Sequence, residues 1–181
     1  MIKGTARLTE TISALRVLLG RSEEMPKAVE TSVAKLSTDI ATDTSNWLGF
    51  SHKINVATDH EKPELIVPGL FRLVMRNFMA NALKYSPKGS VIDIRIRHSA
   101  KETRVLVRNR GNKIPDAVRA CLFEPGRKTP SGGSGHGVHI AQLAAKAMRG
   151  RINFVSQTKY TAFCLVIPTR RKGEDNSNCA A

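Results

Sequence analysis

Phe71–Gly89 reads FRLVMRNFMANALKYSPKG, and a run of strict alternation, Ile92-Asp93-Ile94-Arg95-Ile96-Arg97, follows it closely. In the first stretch Phe71, Val74 and Phe78 recur at helical spacing behind Pro68 and Gly69, which predicts an apolar helix ending near Tyr85. Ser86, Pro87, Lys88 and Gly89 supply the turn that stops it. In the second stretch isoleucine alternates with charge, as in a strand with one buried and one wet face. A helix that turns directly into a half-exposed strand is the unit from which the rest of the chain is read.

Downstream, a second strand is predicted at Arg104–Arg108, then a turn from Asn109 to Pro115 and a short helix around Asp116–Phe123. A Gly/Ser-rich loop leads into a helix over Gly137–Met148, and strands at Ile152–Ser156 and Ala162–Ile167 precede Pro168 and a charged tail, 169–181. Upstream, Lys53–Ala57 and Glu64–Val67 are strand-like. Before them Pro26 is placed to open a helix in which Val29, Val33, Leu36 and Ile40 repeat, with Trp47 seven residues on and expected in the core. The first segment sets Leu8, Ile12, Leu15 and Leu19 in a coiled-coil type of seam that calls for a partner helix. Strands in neighbouring pairs with helices between the pairs predict an α+β fold. Its form is a two-layer α/β sandwich with helices on one face of a mixed, mainly antiparallel sheet, preceded by a single coiled-coil-type helix.

The composition narrows the function classes. Of 181 residues, 29 are Lys or Arg and 15 Asp or Glu, a formal charge of +14. That charge favours an acidic partner, but it is spread along the chain and aromatic residues are 5% of it, so the stacking platforms of a nucleic-acid binder are missing. No nucleic-acid partner is expected. No apolar run approaches the roughly 18–20 residues needed to cross a bilayer, and no secretory leader is visible. The three cysteines, Cys121, Cys164 and Cys179, form no CxxC or His/Cys cluster. That argues against a disulfide framework or structural zinc and fits a cytoplasmic protein in which Cys121 and Cys164 are small buried hydrophobes.

Two places carry chemistry. Within the apolar helix, Asn77, Asn81 and Lys84 form a polar stripe at steps of four and three. Solvated side chains would explain a lone asparagine; two in line cost helix propensity, and amide oxygens are hard ligands suited to Mg²⁺, while Lys84 suits a phosphate. The second place is Gly132-Gly133-Ser134-Gly135-His136-Gly137, directly before a helix. Its glycines let backbone N–H groups approach an anion, and the helix N-terminus adds partial positive charge. A flexible surface loop is an equally common reading of glycines alone, and neither the P-loop lysine nor a preceding Rossmann strand is present.

Together these places resemble the ATP-binding catalytic domain of sensor histidine kinases, in the superfamily shared with gyrase, heat-shock and mismatch-repair ATPases. FRLVMRNFMANALKYSPKG is similar to the family's N box, VRNRGNKIP to its adenine-contacting G1 box, LFEP to its F box and GGSGHGVHIAQLAAKAMRGRI to its G2 box. The resemblance implies a helix layer on a mixed sheet, with ATP under a lid at about 126–136. It implies ATP and Mg²⁺ as cofactors, with Asn77 and Asn81 holding the metal and the phosphates and Lys84 and Tyr85 nearby. It places Asn109 and Gly111 at the adenine, and Gly133, Gly135, His136 and Gly137 at the phosphate end of the lid. In the superfamily's ATPases a glutamate stands at the place of Asn77, and a neutral amide is no general base, so phosphoryl transfer to a protein side chain is favoured over hydrolysis.

RLTETISALRVLLGRSEE looks like the second helix of the family's dimerisation and phosphoacceptor hairpin. The resemblance thus divides the chain into that incomplete hairpin at 1–24, an ATP-binding catalytic domain at 25–168 and a tail at 169–181. No phosphoacceptor box accompanies it, since His60-Glu61-Lys62-Pro63 only mimics one within a loop. The implied partners are a phosphoacceptor hairpin or a response regulator, and the helix at 5–19 permits a homodimer.

The match departs from the family in its G1 box, where Asn109 replaces an aspartate and Lys113 a glycine. An amide that flips serves the guanine edge as well as the adenine edge, so weakened nucleotide selectivity is expected. Lys113 puts backbone conformation at issue. The rival expectation is a degenerate, non-catalytic module of the same fold that regulates a kinase or response regulator by contact.

Overall fold

The computed structural model describes residues 11–21, 26–126 and 136–169. Leu8, Gly133, Gly135 and the tail beyond Thr169 lie outside them. Residues 11–18 are helical (α1). There follow β1 (Val29–Ser32), α2 (Val33–Leu48), β2 (Lys53–Thr58), β3 (Pro63–Ile66), α3 (Pro68–Tyr85), β4 (Val91–His98) and β5 (Glu102–Arg110). The chain continues with α4 (Asp116–Arg119), α5 (Gly137–Ala147), β6 (Arg151–Gln157) and β7 (Tyr160–Pro168).

Five strands form the main sheet in the order β2-β4-β5-β7-β6. β2 runs parallel to β4, and every other pairing is antiparallel. β1 and β3 make a separate antiparallel pair. The alternation in β4 is realised in full: Ile92, Ile94 and Ile96 are buried against the helices, while Arg95 and Arg97 are exposed on the other face. Val105 and Val107 of β5 and Phe163 and Leu165 of β7 continue the buried face, and Phe71, Phe78, Met79 and Leu83 of α3 cover it. Each such side chain contributes about 1.5–3 kcal/mol by burial, against roughly 0–1 kcal/mol for a surface ion pair, so the helix–sheet seam decides the fold. This is the expected α+β sandwich.

The small sheet is clasped to the large one by a buried polar group. His98 Nδ1 lies 3.0 Å from Glu64 Oε1 and 3.2 Å from Thr103 Oγ1, joining β3, β4 and β5.

Three expectations are corrected. The helix expected after Pro26 starts only at Val33: Val29–Ser32 pairs with β3, and Ser32 Oγ accepts from Lys35 N at 3.2 Å as the N-cap. The 3.6-residue repeat ran past a strand-to-cap boundary marked only by a serine. Trp47 is 83% exposed rather than in the core. It falls in the last turn of α2, where Leu48 and Phe50 take the apolar contacts and Gly49, at φ 67°, ends the helix. The seam expected in the first helix is not among the corrections: Ala14 reaches the core with Leu15 and Leu18 beside it, and Ile12 and Leu19 of the seam are 48% and 65% exposed. Of the cysteines, Cys121 is buried and Cys164 only half-buried, because Cys164 sits on the outer face of β7. Among the described residues no helix is long and apolar enough to cross a membrane.

Candidate functional site

α3 is fixed from below by its apolar face, which leaves Asn77 and Asn81 half-buried along its edge and Lys84 and Tyr85 exposed at its end. The Asn77 Nδ2 donates to the Leu73 carbonyl at 2.7 Å. A carbonyl only accepts, so this bond assigns the amide and turns Oδ1 away from its own helix. That oxygen meets the first residue of α5: a β-carbon built on Gly137 would overlap Asn77 Oδ1. The two places read separately in the sequence are therefore in contact, and a side chain at position 137 would require the Asn77 amide to move. Lys84 Nζ stands 5.5 Å from the centroid of the Tyr85 ring, within cation–π range.

Among the described residues no side chain caps the N-terminus of α5. His136 is its N-cap and makes no side-chain cap hydrogen bond, while Ile140 N bonds the His136 carbonyl as the first intrahelical link. The N–H groups before Ile140 point out of the helix end beside Asn77, the arrangement that receives anions. His136 is exposed, and its Cε1 lies 3.5 Å from where a β-carbon on Gly126 would stand. Gly126 has φ 77°, a conformation that favours glycine. Below the helix, His139 Nδ1 donates to the Phe123 carbonyl at 2.9 Å. The rings of Phe123, Phe154, Phe163 and Phe78 then follow one another at centroid spacings of 6.0, 5.9 and 5.3 Å. An aromatic file thus runs from the LFEP segment through the sheet to α3.

The third wall is the end of β5. Asn109 is buried on the helix-facing side, in register with Thr161 of β7. Its Nδ2 donates to the Arg110 carbonyl at 2.9 Å, so here too the amide is assigned and Oδ1 is the free end. Gly111 follows with no room for a side chain, since a β-carbon would stand 2.7 Å from the Tyr85 carbonyl oxygen. Contact between Gly111 and Tyr85 seats the turn on the end of α3. Arg149 is the one residue other than glycine with positive φ among those described, so Lys113 does not occupy a glycine-type conformation. Its ammonium reaches outward to Asp116, at 3.1 Å. That hydrogen bond and charge from Lys113 lower the Asp116 pKa against the opposing effect of desolvation, with Arg119 adding to the lowering.

Sequence reasoning missed Ser156 and Thr161. Their hydroxyls are 3.0 Å apart and buried, and Ser156 Oγ accepts from Ile114 N at 2.8 Å, pinning the turn to the sheet. The signal was present: they are the polar members of otherwise apolar inward-facing rows, Ile152-Phe154-Ser156 and Thr161-Phe163-Leu165.

Among the described residues no group of three or more His, Cys, Asp or Glu side chains is placed to hold a metal ion. Oxygen donors here are amides, which suits an ion that takes one or two protein ligands and completes its shell with phosphate and water, as Mg²⁺ does. With the helix terminus beside them, the side chains present fit a magnesium-bridged polyphosphate.

Residues 67–171 match the model of the histidine kinase-, DNA gyrase B- and HSP90-like ATPases. The chain belongs to that family. Among curated relatives it is similar to the probable sensor kinase SilS of Salmonella typhimurium, 30% identical over 118 residues that cover 62% of this chain and 24% of SilS. It is also similar to the sensory histidine kinase/phosphatase NtrB of Escherichia coli O157:H7, 27% identical over 94% of this chain and 53% of NtrB. The chain thus spans between about a quarter and half the length of these relatives. Among solved structures, the nucleotide-free catalytic domain of histidine kinase ThkA superposes with a TM-score of 0.71 at 20% identity, covering 79% of this chain and 98% of that domain. Full-length ShkA in complex with AMPPNP gives 0.74 at 20% identity, over 92% of this chain and 36% of ShkA. These superpositions establish the shared fold.

Proposed function

We propose that the chain is the ATP-binding catalytic module of a two-component sensor histidine kinase, which passes the γ-phosphate of ATP to a histidine outside this chain. The observation that carries the reading is the contact between Asn77 and Gly137, which joins the amide stripe of α3 to the N-terminal end of α5. In this reading Asn77 and Asn81 hold Mg²⁺ and phosphate oxygens, Lys84 and Tyr85 flank them, and Gly133, Gly135, His136 and Gly137 shape the phosphate end. Magnesium, when bound, supplies charge neutralisation at the phosphates. Asn77 cannot take a proton from water, so the chemistry left to the site is transfer to a nucleophile brought by another protein segment.

Asn109 and Gly111 form the base end. One Nδ2 hydrogen is used by the Arg110 carbonyl, and Oδ1 offers an acceptor, as an aspartate would. An acceptor suits the exocyclic amine of adenine, and the second Nδ2 hydrogen is still able to meet the O6 of guanine, so weakened nucleotide selectivity stays the expectation. Residues 1–24 then serve as the second helix of a dimerisation and phosphoacceptor hairpin, 25–168 as the catalytic domain and 169–181 as a tail. The exposure of Ile12 and Leu19, seven residues apart on α1, supports a pairing helix there. The partners are a phosphoacceptor hairpin and a response regulator.

The replacement of the family's aspartate by Asn109 favours one rival, a module that regulates a kinase by contact without nucleotide chemistry. Calorimetric titration with Mg-ATP separates the two. The kinase reading expects saturable heat that requires Mg²⁺ and is lost in Asn81→Ala; absence of heat and of thermal stabilisation at millimolar nucleotide leaves the contact module.

A further inference from the structure

On the face of the sheet opposite α3, a half-open cavity of about 670 Å³ lies between the α3–β4 turn, the outer side of β4 and β5 and the tip of the β6–β7 hairpin. Its floor follows from strand alternation. Ile92, Ile94, Val105 and Val107 point to the helices, so Val91, Asp93 and Arg108 point the other way and line the cavity. The sheet therefore lies between the cavity and Asn77, Asn81 and Gly137, while the 109–111 turn is shared, since Asn109 and Gly111 also line the cavity.

Three features define what fits there. Arg108 is fixed: its Nη2 is 2.9 Å from Asp93 Oδ2, and its guanidinium carbon lies 5.9 Å from the centroid of Tyr160. A guanidinium within cation–π range of an aromatic ring offers, with that ring, surface on which another planar group can stack. Pro87 and Val91 add apolar wall on the side of the turn. At the rim Arg110 and Lys159 are both exposed, and among the described residues no carboxylate pairs with either. Free phosphate would satisfy the rim and leave the apolar wall wet, and an apolar ring alone would leave two cations unused. The volume falls within the roughly 300–1,000 Å³ range of small-molecule sites and well above what a lone ion needs.

We infer that this cavity is a second ligand site, for an aromatic phosphate of about mononucleotide size, whose ring lies on the Arg108–Tyr160 platform and whose phosphate is held by Arg110 and Lys159. It needs no metal, and it shares only the 109–111 turn with the site proposed on the opposite face.

The test is a ¹H–¹⁵N titration of the full chain with phenyl phosphate in EDTA, beside a titration with inorganic phosphate. Phenyl phosphate is expected to give saturable shifts at Val91, Arg110, Asn112, Lys159 and Tyr160. Inorganic phosphate is expected to shift Arg110 and Lys159 with an affinity about tenfold weaker, and the Arg110→Gln/Lys159→Gln double variant to weaken phenyl phosphate by about tenfold or more. Both substitutions are at exposed positions, and the remaining amide map reports that the fold is intact. No saturable shift at millimolar phenyl phosphate overturns the proposal. So do shifts at Asn77, Tyr85, Asn109 or Gly137 that spare Val91, Lys159 and Tyr160, equal affinity for the two probes, or full binding by the double variant. EDTA removes the magnesium that the nucleotide site requires, and Val91, Lys159 and Tyr160 report this cavity and not the base end, so failure here and failure of the kinase reading are told apart.

Discussion

The two ends of the site are supported in different ways. Where α3 meets α5 the support is packing: Gly137 and Asn77 are so close that a β-carbon there would displace the Asn77 amide, and the aromatic file beneath joins α3 to the sheet. At the 109–114 turn the support is a set of hydrogen bonds: Asn109 to the Arg110 carbonyl, and Ile114 to Ser156, itself bonded to Thr161. A packed contact is intolerant of volume and a hydrogen-bonded turn is intolerant of charge, so different substitutions break the two ends.

The largest effect is expected from added volume at the packed end. In Gly137→Ala the new methyl group displaces Asn77 Oδ1 or pushes α5 away, at a cost of about 1–3 kcal/mol. Placed on nucleotide binding, that is tenfold or more in Mg-ATP affinity at about 1.4 kcal/mol per decade. Helix propensity opposes it, since alanine is better than glycine within a helix by up to about 1 kcal/mol. Thermal stability should consequently change little while calorimetric affinity collapses. Equal losses in both would mean that the glycine serves packing alone.

Added charge is expected to break the other end. Asn109→Asp restores the residue type found in the family, yet here it turns a donor into an acceptor facing the Arg110 carbonyl at 2.9 Å and buries a carboxylate. A lost hydrogen bond with an unsatisfied buried partner costs roughly 1–3 kcal/mol. For a domain of this size each kcal/mol lowers Tm by about 2–4 °C. A Tm of Asn109→Asp equal to that of the native chain would show that the turn does not depend on the amide.

How much of this was legible in the sequence depended on whether the signal was periodic. Strand β4 and helix α3 announce themselves because isoleucine at every second position and phenylalanine at helical steps report one buried face each. Trp47 follows the same helical period as Ile40 and yet is exposed, because period says which side of a helix a residue is on and not whether anything lies opposite its last turn. The proximity of Asn77 and Gly137 could be expected only through the family resemblance, since no spacing relates two residues on different helices. Ser156 and Thr161 interrupt the apolar rows of β6 and β7, which marks each as an inward-facing hydroxyl, but only the hairpin register faces one to the other. The cavity on the outer sheet face was invisible, being built from the charged half of strands read only for their apolar half.

A smaller effect is expected behind the turn, on that outer face. Burial raises the Asp93 pKa, but the hydrogen bonds from Arg108 and Asn55 and the charge of Arg108 outweigh it, so the carboxylate titrates below its ordinary value. A lowered carboxylate pKa stabilises the fold above the unfolded value of about 3.9, and that contribution is lost as pH falls through the native pKa. Arg108→Gln should cost up to about 1 kcal/mol in urea unfolding at pH 7 and progressively less as the pH falls below 4. A cost independent of pH would assign the role of Arg108 to its contact with Tyr160.

The smallest effect is expected at the substitution that looks most disruptive in the sequence. Lys113 stands where the family has glycine, but its backbone is not in the left-handed region and its side chain turns outward to Asp116. The pair is exposed, and contacts of this kind contribute about 0.2–0.5 kcal/mol. Lys113→Gly removes that contact and adds about as much again in chain entropy to the unfolded state, so Tm should fall by no more than a few degrees and Mg-ATP affinity should move less than about threefold. A large gain in affinity in Lys113→Gly would mean that the lysine blocks the base end sterically. The hydrogen-bonded end would then be limited by volume, like the packed end, and the distinction between the two supports would fail.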